Sequence, residues 1–179
     1  MKNFKCTILL AAGLVMAGVN AHATASTSII EFTTLDFGAG LGSNQILDVD
    51  MTPAGTGDNI FAELWVGPQG GSLTKVEGPV AVGGGFAGFV VATGSTTVNF
   101  NPSTTLDFEI NAWDADTGSD FASAMNRGSA NGTVTTVDVT ATPNATTGFG
   151  VLQLEVVPEP STIALGIIGG LALLLRRRK

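Results

Sequence analysis

Apolar and polar side chains alternate with a period of two in Leu106-Asp107-Phe108-Glu109-Ile110-Asn111. Successive side chains of a β-strand point to opposite faces of a sheet, so this pattern predicts a strand with one buried face. The same alternation occurs at residues 60–66, 137–139 and 152–156. The chain is therefore expected to be built around half-buried strands.

Turn residues separate these segments from other stretches rich in threonine, valine and phenylalanine, which favour strands. Further strands are predicted at residues 29–37, 45–51, 73–77, 86–92 and 96–100, and one short helix at residues 119–127. Many short strands at regular spacing favour packed antiparallel sheets over a parallel α/β sheet. We expect an all-β body, an antiparallel β-sandwich of the jelly-roll or immunoglobulin-like type.

The N-terminus has the organisation of a secretory signal peptide. Lys2 and Lys5 precede an apolar run at residues 8–19, and Ala21-His22-Ala23 is a small-x-small cleavage site. The run is short for a membrane span, which needs about 20 residues; the alternative is a buried first helix of the domain. We expect a signal helix at residues 1–23, cleavage after Ala23 and a body at residues 24–157.

Cleavage at this point removes the only cysteine, Cys6, and the only histidine, His22, from a chain that contains no tyrosine. The body then has no thiol, which excludes a disulfide framework. Its sequence shows no nucleophile elbow, metal triad or phosphate-binding loop. The sequence therefore predicts a protein that is not an enzyme, with no catalytic residues.

The body is strongly acidic. Residues 24–157 hold 14 of the 15 acidic residues of the chain against two bases, Lys75 and Arg127, which gives a net charge of −12. Such a surface repels nucleic-acid phosphates, so nucleic acid is not expected as a partner. The acidity serves solubility in one interpretation and attracts Ca²⁺ or cationic polymers in the other.

The C-terminal segment, residues 158–179, combines three features. The first is a proline-rich stretch, Val157-Pro158-Glu159-Pro160-Ser161, whose prolines remove backbone donors and predict an extended, accessible chain. An uncharged run at residues 161–175 then predicts a transmembrane helix, slightly short for a bilayer. Four bases end the chain and favour a cytoplasmic location for this end, Arg176-Arg177-Arg178-Lys179.

The order of these three features resembles the PEP-CTERM sorting signal of exported bacterial proteins. The resemblance implies recognition by an exosortase, a membrane-embedded protease-like enzyme, and cleavage near Pro158-Glu159-Pro160. It also implies transient residence in the cytoplasmic membrane, followed by release or transfer to the cell surface, in bacteria that form exopolysaccharide and biofilm. The alternative is a single-pass anchor that stays permanently in the membrane.

The body is also similar to a β-rich family of secreted proteins that bear this tail. The residues that carry the similarity are Phe61–Pro68, Gly71–Leu73 and Ala112–Asp114. The family implies no known activity, so this resemblance bears on the fold rather than on the function.

Three carboxylates at Asp114, Asp116 and Asp120 surround Gly118 in a loop that partly resembles a Ca²⁺ site. Calcium takes several oxygen ligands from a flexible loop, but no bidentate glutamate follows at the spacing such loops use. The alternative is an acidic turn in which Asp120 caps the short predicted helix. The sequence assigns no metal site, and these residues are its candidates for Ca²⁺.

Trp65 and Trp113 are candidates for sugar-stacking platforms, since aromatic side chains combine large apolar surfaces with a polar group. Trp113 lies out of phase with the apolar alternation and is expected to be exposed, and Trp65 shares the parity of Glu63. The alternative is ordinary packing within the sheet. The body is thus expected to be a structural or adhesive component linked to exopolysaccharide, or else a module that binds carbohydrate or Ca²⁺.

Overall fold

The structure is a computed structural model that describes residues 26–36, 43–91, 94–158 and 165–168. Its body is built from β-strands, which confirms the prediction of an all-β protein. The strands are β1 (Ser28–Glu31), β2 (Gln45–Leu47), β3 (Ile60–Pro68), β4 (Thr74–Ala81), β5 (Ser95–Val98), β6 (Thr105–Asp114), β7 (Asn126–Thr135), β8 (Val137–Asp138), β9 (Val151–Gln153) and β10 (Glu155–Val156).

The largest sheet is antiparallel and has the strand order β10-β7-β6-β3-β4. Its centre is β6, which pairs with β3 from Ile60↔Asp114 to Pro68↔Leu106. On its other edge β6 pairs with β7 from Thr105↔Thr135 to Trp113↔Arg127. The backbone of β6 is therefore hydrogen-bonded to a neighbour on both sides along nearly its whole length.

Two smaller sheets accompany this central sheet. β1 lies between β5 and β8 in an antiparallel sheet, and β2 pairs with β9. The β2–β9 pair is parallel, which departs from the antiparallel pairing predicted throughout. Parallel strands need a long connection, and about a hundred residues separate these two along the chain.

One hydrophobic cluster joins the sheets. The alternating apolar residues of β3 and β6 point into it, as the period of two predicts. Side chains from β1, β2, β5, β7 and β9 and from the adjoining segments complete it. Its members are Ile30, Phe32, Ile46, Ala54, Ile60, Ala62, Leu64, Val66, Val82, Val90, Val98, Leu106, Phe108, Ile110, Ala112, Val134, Leu152 and Leu154.

The helix predicted at residues 119–127 is wrong. The Ala124 amide donates to the Asp120 carbonyl at 2.9 Å, which makes a single helical turn, and β7 begins at Asn126. β7 has no predicted counterpart, because two of its core-facing positions are glycines and give no apolar alternation. Gly128 lies against the backbone of Gln153, and Gly132 lies against the ring of Phe108.

The strand predicted at residues 86–92 is also wrong. The amide of Phe89 donates to the carbonyl of Phe86 at 3.1 Å, which closes a turn, and Gly88 has a positive φ of 83°. Loop hydrogen bonds, such as that from the Ile46 amide to the Gly88 carbonyl at 2.7 Å, replace ladder pairing here.

The other predicted strands are present, although β1 and β2 are shorter than expected. The one predicted at residues 152–156 is divided into β9 and β10, which belong to different sheets, and Val156 is exposed rather than buried.

The two ends of the chain were predicted to be a signal helix and a transmembrane helix. Residues 1–23 lie outside the described residues, and so does most of the C-terminal apolar run. Residues 165–168 are helical and exposed. In the described ranges, no helix has both the length and the hydropathy needed to cross a membrane.

We predict that Gly132→Ala lowers the free energy of unfolding by about 1–3 kcal/mol, the usual cost of overpacking a core. A Cβ at this position would overlap the ring of Phe108, which is 1% exposed and held in the core. Urea denaturation followed by tryptophan fluorescence measures the change. Combining the substitution with Phe108→Leu should restore part of the loss, because the smaller side chain vacates that space.

The matched control is Gly57→Ala, since a Cβ built on Gly57 meets nothing within 4 Å. This control is expected to be neutral or to stabilise by less than about 1 kcal/mol. Equal costs for the two alanine substitutions would show that the close approach of β7 to Phe108 does not constrain the fold.

Candidate functional site

The central sheet carries a second face, opposite the hydrophobic cluster. Its side chains alternate with the core residues along β3, β6 and β7, and we call this surface the outer face. Its members are Phe61, Glu63 and Trp65 on β3, Asp107, Glu109, Asn111 and Trp113 on β6, and Arg127, Ser129, Asn131 and Thr133 on β7.

Strand register arranges these side chains in rows across the sheet. Trp65, Glu109 and Asn131 form one row, and Glu63, Asn111 and Ser129 form the next. Side chains directly opposite one another on neighbouring antiparallel strands have Cβ atoms about 4.5–5.5 Å apart. Each row therefore offers several polar groups within reach of a single small ligand.

A groove of about 510 Å³ runs along this face. Asp107, Glu109, Asn131 and Thr133 line it from β6 and β7, and Gly71 and Leu73 line it from the β3–β4 connection. A smaller hollow of about 160 Å³ adjoins it and is lined by Trp65, Leu73, Glu109 and Asn111. The two share Leu73 and Glu109, and together we call them the outer groove.

One wall of the outer groove is the connection between β3 and β4. The amide of Gly70 donates to Oδ2 of Asp107 at 2.7 Å, which ties this connection to β6. A charged acceptor makes a stronger hydrogen bond than a neutral one. Asp107, which lines the floor of the outer groove, therefore holds the β3–β4 connection in place as its wall.

Trp65 is oriented by a buried carboxylate. Its indole Nε1 donates to Oε1 of Glu63 at 2.8 Å, and the Nζ of Lys75 lies 2.8 Å from Oε2 of the same residue. Glu63 is buried, and burial of a carboxylate costs free energy unless it is paired and hydrogen-bonded. These two contacts satisfy both carboxylate oxygens of Glu63, and the ion pair neutralises the positive charge of Lys75 beside the outer groove.

Asn111 is unusual among the outer-groove residues. The residue is only 5% exposed, and its Oδ1 accepts no hydrogen bond from any described residue. A buried acceptor without a donor costs about 1–3 kcal/mol relative to one that is satisfied. A cost of this size needs an explanation, because the surface around Asn111 carries polar side chains that can hydrogen-bond to a ligand.

The expectation that Trp113 is exposed is wrong. It is 3% exposed and stacks on Phe61, its direct cross-strand neighbour, with ring centroids 6.2 Å apart and planes inclined by 30°. Its Nε1 also lacks an acceptor among the described residues. The outer face thus has no pair of exposed tryptophans, and Trp65 alone stands half-buried at the outer groove.

The acidic loop after β6 engages its carboxylates in separate hydrogen bonds. Asp114 accepts from the amide of Asp116 at 2.9 Å and from Nδ2 of Asn126 at 3.0 Å, and Asp116 accepts from Nδ2 of Asn59 at 2.8 Å. Asp120 accepts from the amide of Ser123 at 2.9 Å.

These contacts bring Asp114 and Asp116 together and leave Asp120 with a different partner. Within residues 26–36, 43–91, 94–158 and 165–168, no three acidic, histidine or cysteine side chains are grouped to hold a metal ion. Calcium binding by this loop stays a prediction. The capping geometry expected of Asp120 is present, although the turn it caps does not continue as a helix.

The residues of the predicted sorting motif lie at the boundary of the described chain. The amide of Val157 donates to the carbonyl of Met125 at 2.7 Å, directly after β10, and Pro158 is exposed. Glu159, Pro160 and Ser161 lie outside the described residues, as do the terminal bases Arg176–Lys179 and the cleavage-site residues Ala21 and Ala23.

No family model, curated protein or solved structure matches this chain.

The outer groove was not anticipated from the sequence. Glu109 and Asn111 stand at polar positions of the alternating stretch at 106–111, but their cross-strand neighbours Asn131 and Ser129 belong to β7, which was not predicted. The sequence gives one indication of the outer groove: Trp65 and Glu63 are two residues apart on one strand and so share a face. The hydrogen bond between their side chains confirms this.

We predict that Glu63→Ala destabilises the protein by about 1–3 kcal/mol, because it removes the acceptor of the Nε1 of the half-buried Trp65. Lys75→Ala is the comparison, and its cost should be smaller than that of Glu63→Ala, because Glu63 keeps its hydrogen bond from Trp65 and water reaches the place of the 40% exposed Lys75 side chain. Urea denaturation measures both. A larger cost for Lys75→Ala would contradict this assignment.

The amide of Ser123, followed by its hydroxyl, holds the pKa of Asp120 below its ordinary value of 3.8. A lowered pKa in the folded state means that the ionised form favours folding. This contribution is present above the ordinary pKa and is lost as the pH falls through the folded-state pKa.

NMR titration of the side-chain carboxyl should therefore show Asp120 titrating below 3.8, and Ser123→Ala should move its pKa upward by removing the hydroxyl. A midpoint at or above 3.8 in the folded protein would contradict the hydrogen-bonded turn.

Proposed function

We propose that this chain is an exported surface or extracellular-matrix protein that an exosortase recognises and cleaves, and that its body has a structural or adhesive role linked to exopolysaccharide. The observation that carries the proposal is the C-terminal order of a Pro-Glu-Pro motif at Val157–Ser161, an uncharged apolar run and the basic end Arg176–Lys179. Each part is common alone, and the combination is the pattern of a PEP-CTERM signal.

The position of the motif relative to the fold supports this proposal. The last backbone hydrogen bond described in the body is donated by Val157, and the exposed Pro158 follows directly. Proline cannot donate to a ladder, so pairing with β7 cannot continue past this point. The last described strand ends at Val156, so a cut by a protease after Pro158 would spare every described strand.

Export itself is proposed from the N-terminal segment. A charged start, an apolar run and the small residues Ala21 and Ala23 support cleavage by a signal peptidase. The protein then resides in the cytoplasmic membrane before it reaches the cell surface or medium. The competing proposal is a permanent single-pass anchor with the body outside the cell.

We also propose that the body is a β-sandwich without catalytic activity. The sandwich is supported by the single hydrophobic cluster shared by the central sheet and the smaller sheets. The proposal that it lacks catalytic activity rests on the sequence, which shows no nucleophile elbow, metal triad or phosphate-binding loop.

A carbohydrate-binding module is the second candidate, and the outer groove favours it. Polar side chains form its floor, and Trp65 lies beside them. Pockets for small ligands combine apolar walls with a few polar groups that set orientation. The binding and adhesive roles are compatible, because a matrix component must hold on to the matrix polymer.

The sorting proposal is tested by the intact mass of the protein from medium and membranes of a host with and without an exosortase. We expect a form that begins near Thr24 and ends at the Pro158-Glu159-Pro160 region, seen only when the exosortase is present. Replacing both Pro158 and Pro160 by alanine should abolish it, whereas Pro143→Ala in a body loop should not.

Full tails in the membrane under both conditions would overturn sorting and support the permanent anchor. A cut product that forms equally without the exosortase would also overturn it, since another protease would then be responsible.

A further inference from the structure

We propose that the outer groove binds a polysaccharide whose sugars carry free amino groups, with Glu109 and Asn111 as its principal contacts. This inference rests on the proposed link to exopolysaccharide and names the class of polymer that the body recognises.

The charge of the outer groove selects for a cationic ligand. Asp107 and Glu109 line it, and neither hollow is lined by a lysine or arginine. Lys75, the nearest base in register with Trp65, is already paired with Glu63. A cleft lined by one sign of charge raises the local concentration of ligands of the opposite sign. It therefore favours protonated amino sugars and repels uronic acids.

Glu109 is the carboxylate that is available to a ligand. Asp107 accepts a hydrogen bond from Gly70, whereas the Glu109 side chain has no hydrogen bond or ion pair with any described residue. Glu109 is half-buried and lines both hollows. A charge-assisted hydrogen bond from an ammonium group would satisfy this partly desolvated carboxylate.

Asn111 provides an independent observation that points to a ligand. Its Oδ1 is buried and lacks a donor among the described residues, and the residue lines the smaller hollow beside Glu109. The terminal torsion of an asparagine is broad, so a small rotation presents the amide to the groove at low cost. A hydroxyl or ammonium group in this hollow would supply the missing donor.

Trp65 and Leu73 give the same hollow its apolar walls. The hydrogen bond to Glu63 orients the indole ring, which reduces the entropy that binding would otherwise cost. Tryptophan faces attract cations within about 6 Å of the ring centroid. An ammonium group between Trp65 and Glu109 would interact favourably with both.

The outer groove has the length for an oligosaccharide. From Asp107 to Asn111 it follows five residues of β6, whose four successive rises span about 13 Å in an extended strand. Asn131 and Thr133 are exposed along its floor and offer donors and acceptors for ring hydroxyls. The ligand is therefore expected to be a short stretch of polymer rather than one sugar.

Isothermal titration of the full-length chain in non-ionic detergent tests this inference, because that form needs no processing. The probe is the fully deacetylated glucosamine tetramer, at a pH that keeps its amines protonated. Its N-acetylated counterpart and tetragalacturonate are the comparison ligands. We expect binding of the glucosamine tetramer, weaker binding of the acetylated one and no binding of the uronate.

Three variants connect binding to the groove. Glu109→Gln keeps the shape and removes the charge, and it should weaken binding about tenfold or more, the effect of losing a charged hydrogen bond. Glu155→Gln is the matched control, because it removes an exposed charge from β10 of the same sheet outside the groove; it should change affinity less than about twofold.

Asn111→Leu should weaken binding without lowering the thermal stability, since it removes a buried acceptor that has no donor in the free protein. A loss of binding that accompanies unfolding in this variant would count against a direct contact.

Equal binding of the acetylated tetramer or of the uronate would overturn the amino-sugar assignment. Equal losses in Glu109→Gln and Glu155→Gln would assign the binding to the overall acidity of the body and overturn the site. No binding of any tetramer would overturn the inference while leaving the sorting proposal intact, because the latter is read from the mass of the processed chain.

Discussion

β6 is hydrogen-bonded on both edges, to β3 and to β7, and this double pairing decides what each face of the central sheet presents. Leu106, Phe108 and Ile110 enter the hydrophobic cluster, so Glu109 and Asn111 must face the other way. A shift of one residue in either ladder would exchange the two sets. Core and candidate binding surface therefore depend on a single register.

The outer face shows the physical cost of building a site on a sheet. Glu63 is buried there with both oxygens satisfied, whereas Asn111 and Trp113 each keep a polar atom without a partner among the described residues. The apolar cluster on the opposite face supplies the stability that tolerates this, since a body cut after Ala23 has no cysteine for a disulfide. Of these two residues, Asn111 lines the outer groove, where a ligand can supply the missing donor.

The local sequence pattern was sufficient to predict β3 and β6, because the alternation of apolar and polar side chains is visible within each strand. β7 could not be predicted in this way, since Gly128 and Gly132 are explained only by the backbone of Gln153 and the ring of Phe108, which are distant in sequence. The capping geometry of Asp120 was foreseen, but its helix was not formed because Asn126 already pairs in the sheet.

Contacts between strands also determine which candidate site residues are exposed. Trp113 is buried because register places Phe61 directly beside it, and parity within one strand carries no information about that neighbour. The outer groove requires β7 and the β3–β4 connection in addition to β6. Its residues are therefore identifiable only after strand order is known, whereas the Pro-Glu-Pro tail is recognisable from contiguous residues.

The short pairing of β10 with β7 has a mechanical consequence. The end of the body is attached to the sheet by Val156, which pairs with Asn126, and by Val157, whose amide donates to Met125. The C-terminal segment begins at the next residue, Pro158. A pulling force applied through the tail would load these few hydrogen bonds first and in succession. β10 would peel away before the load reached the long ladders of β6, so this edge would yield while the rest of the sheet stayed closed.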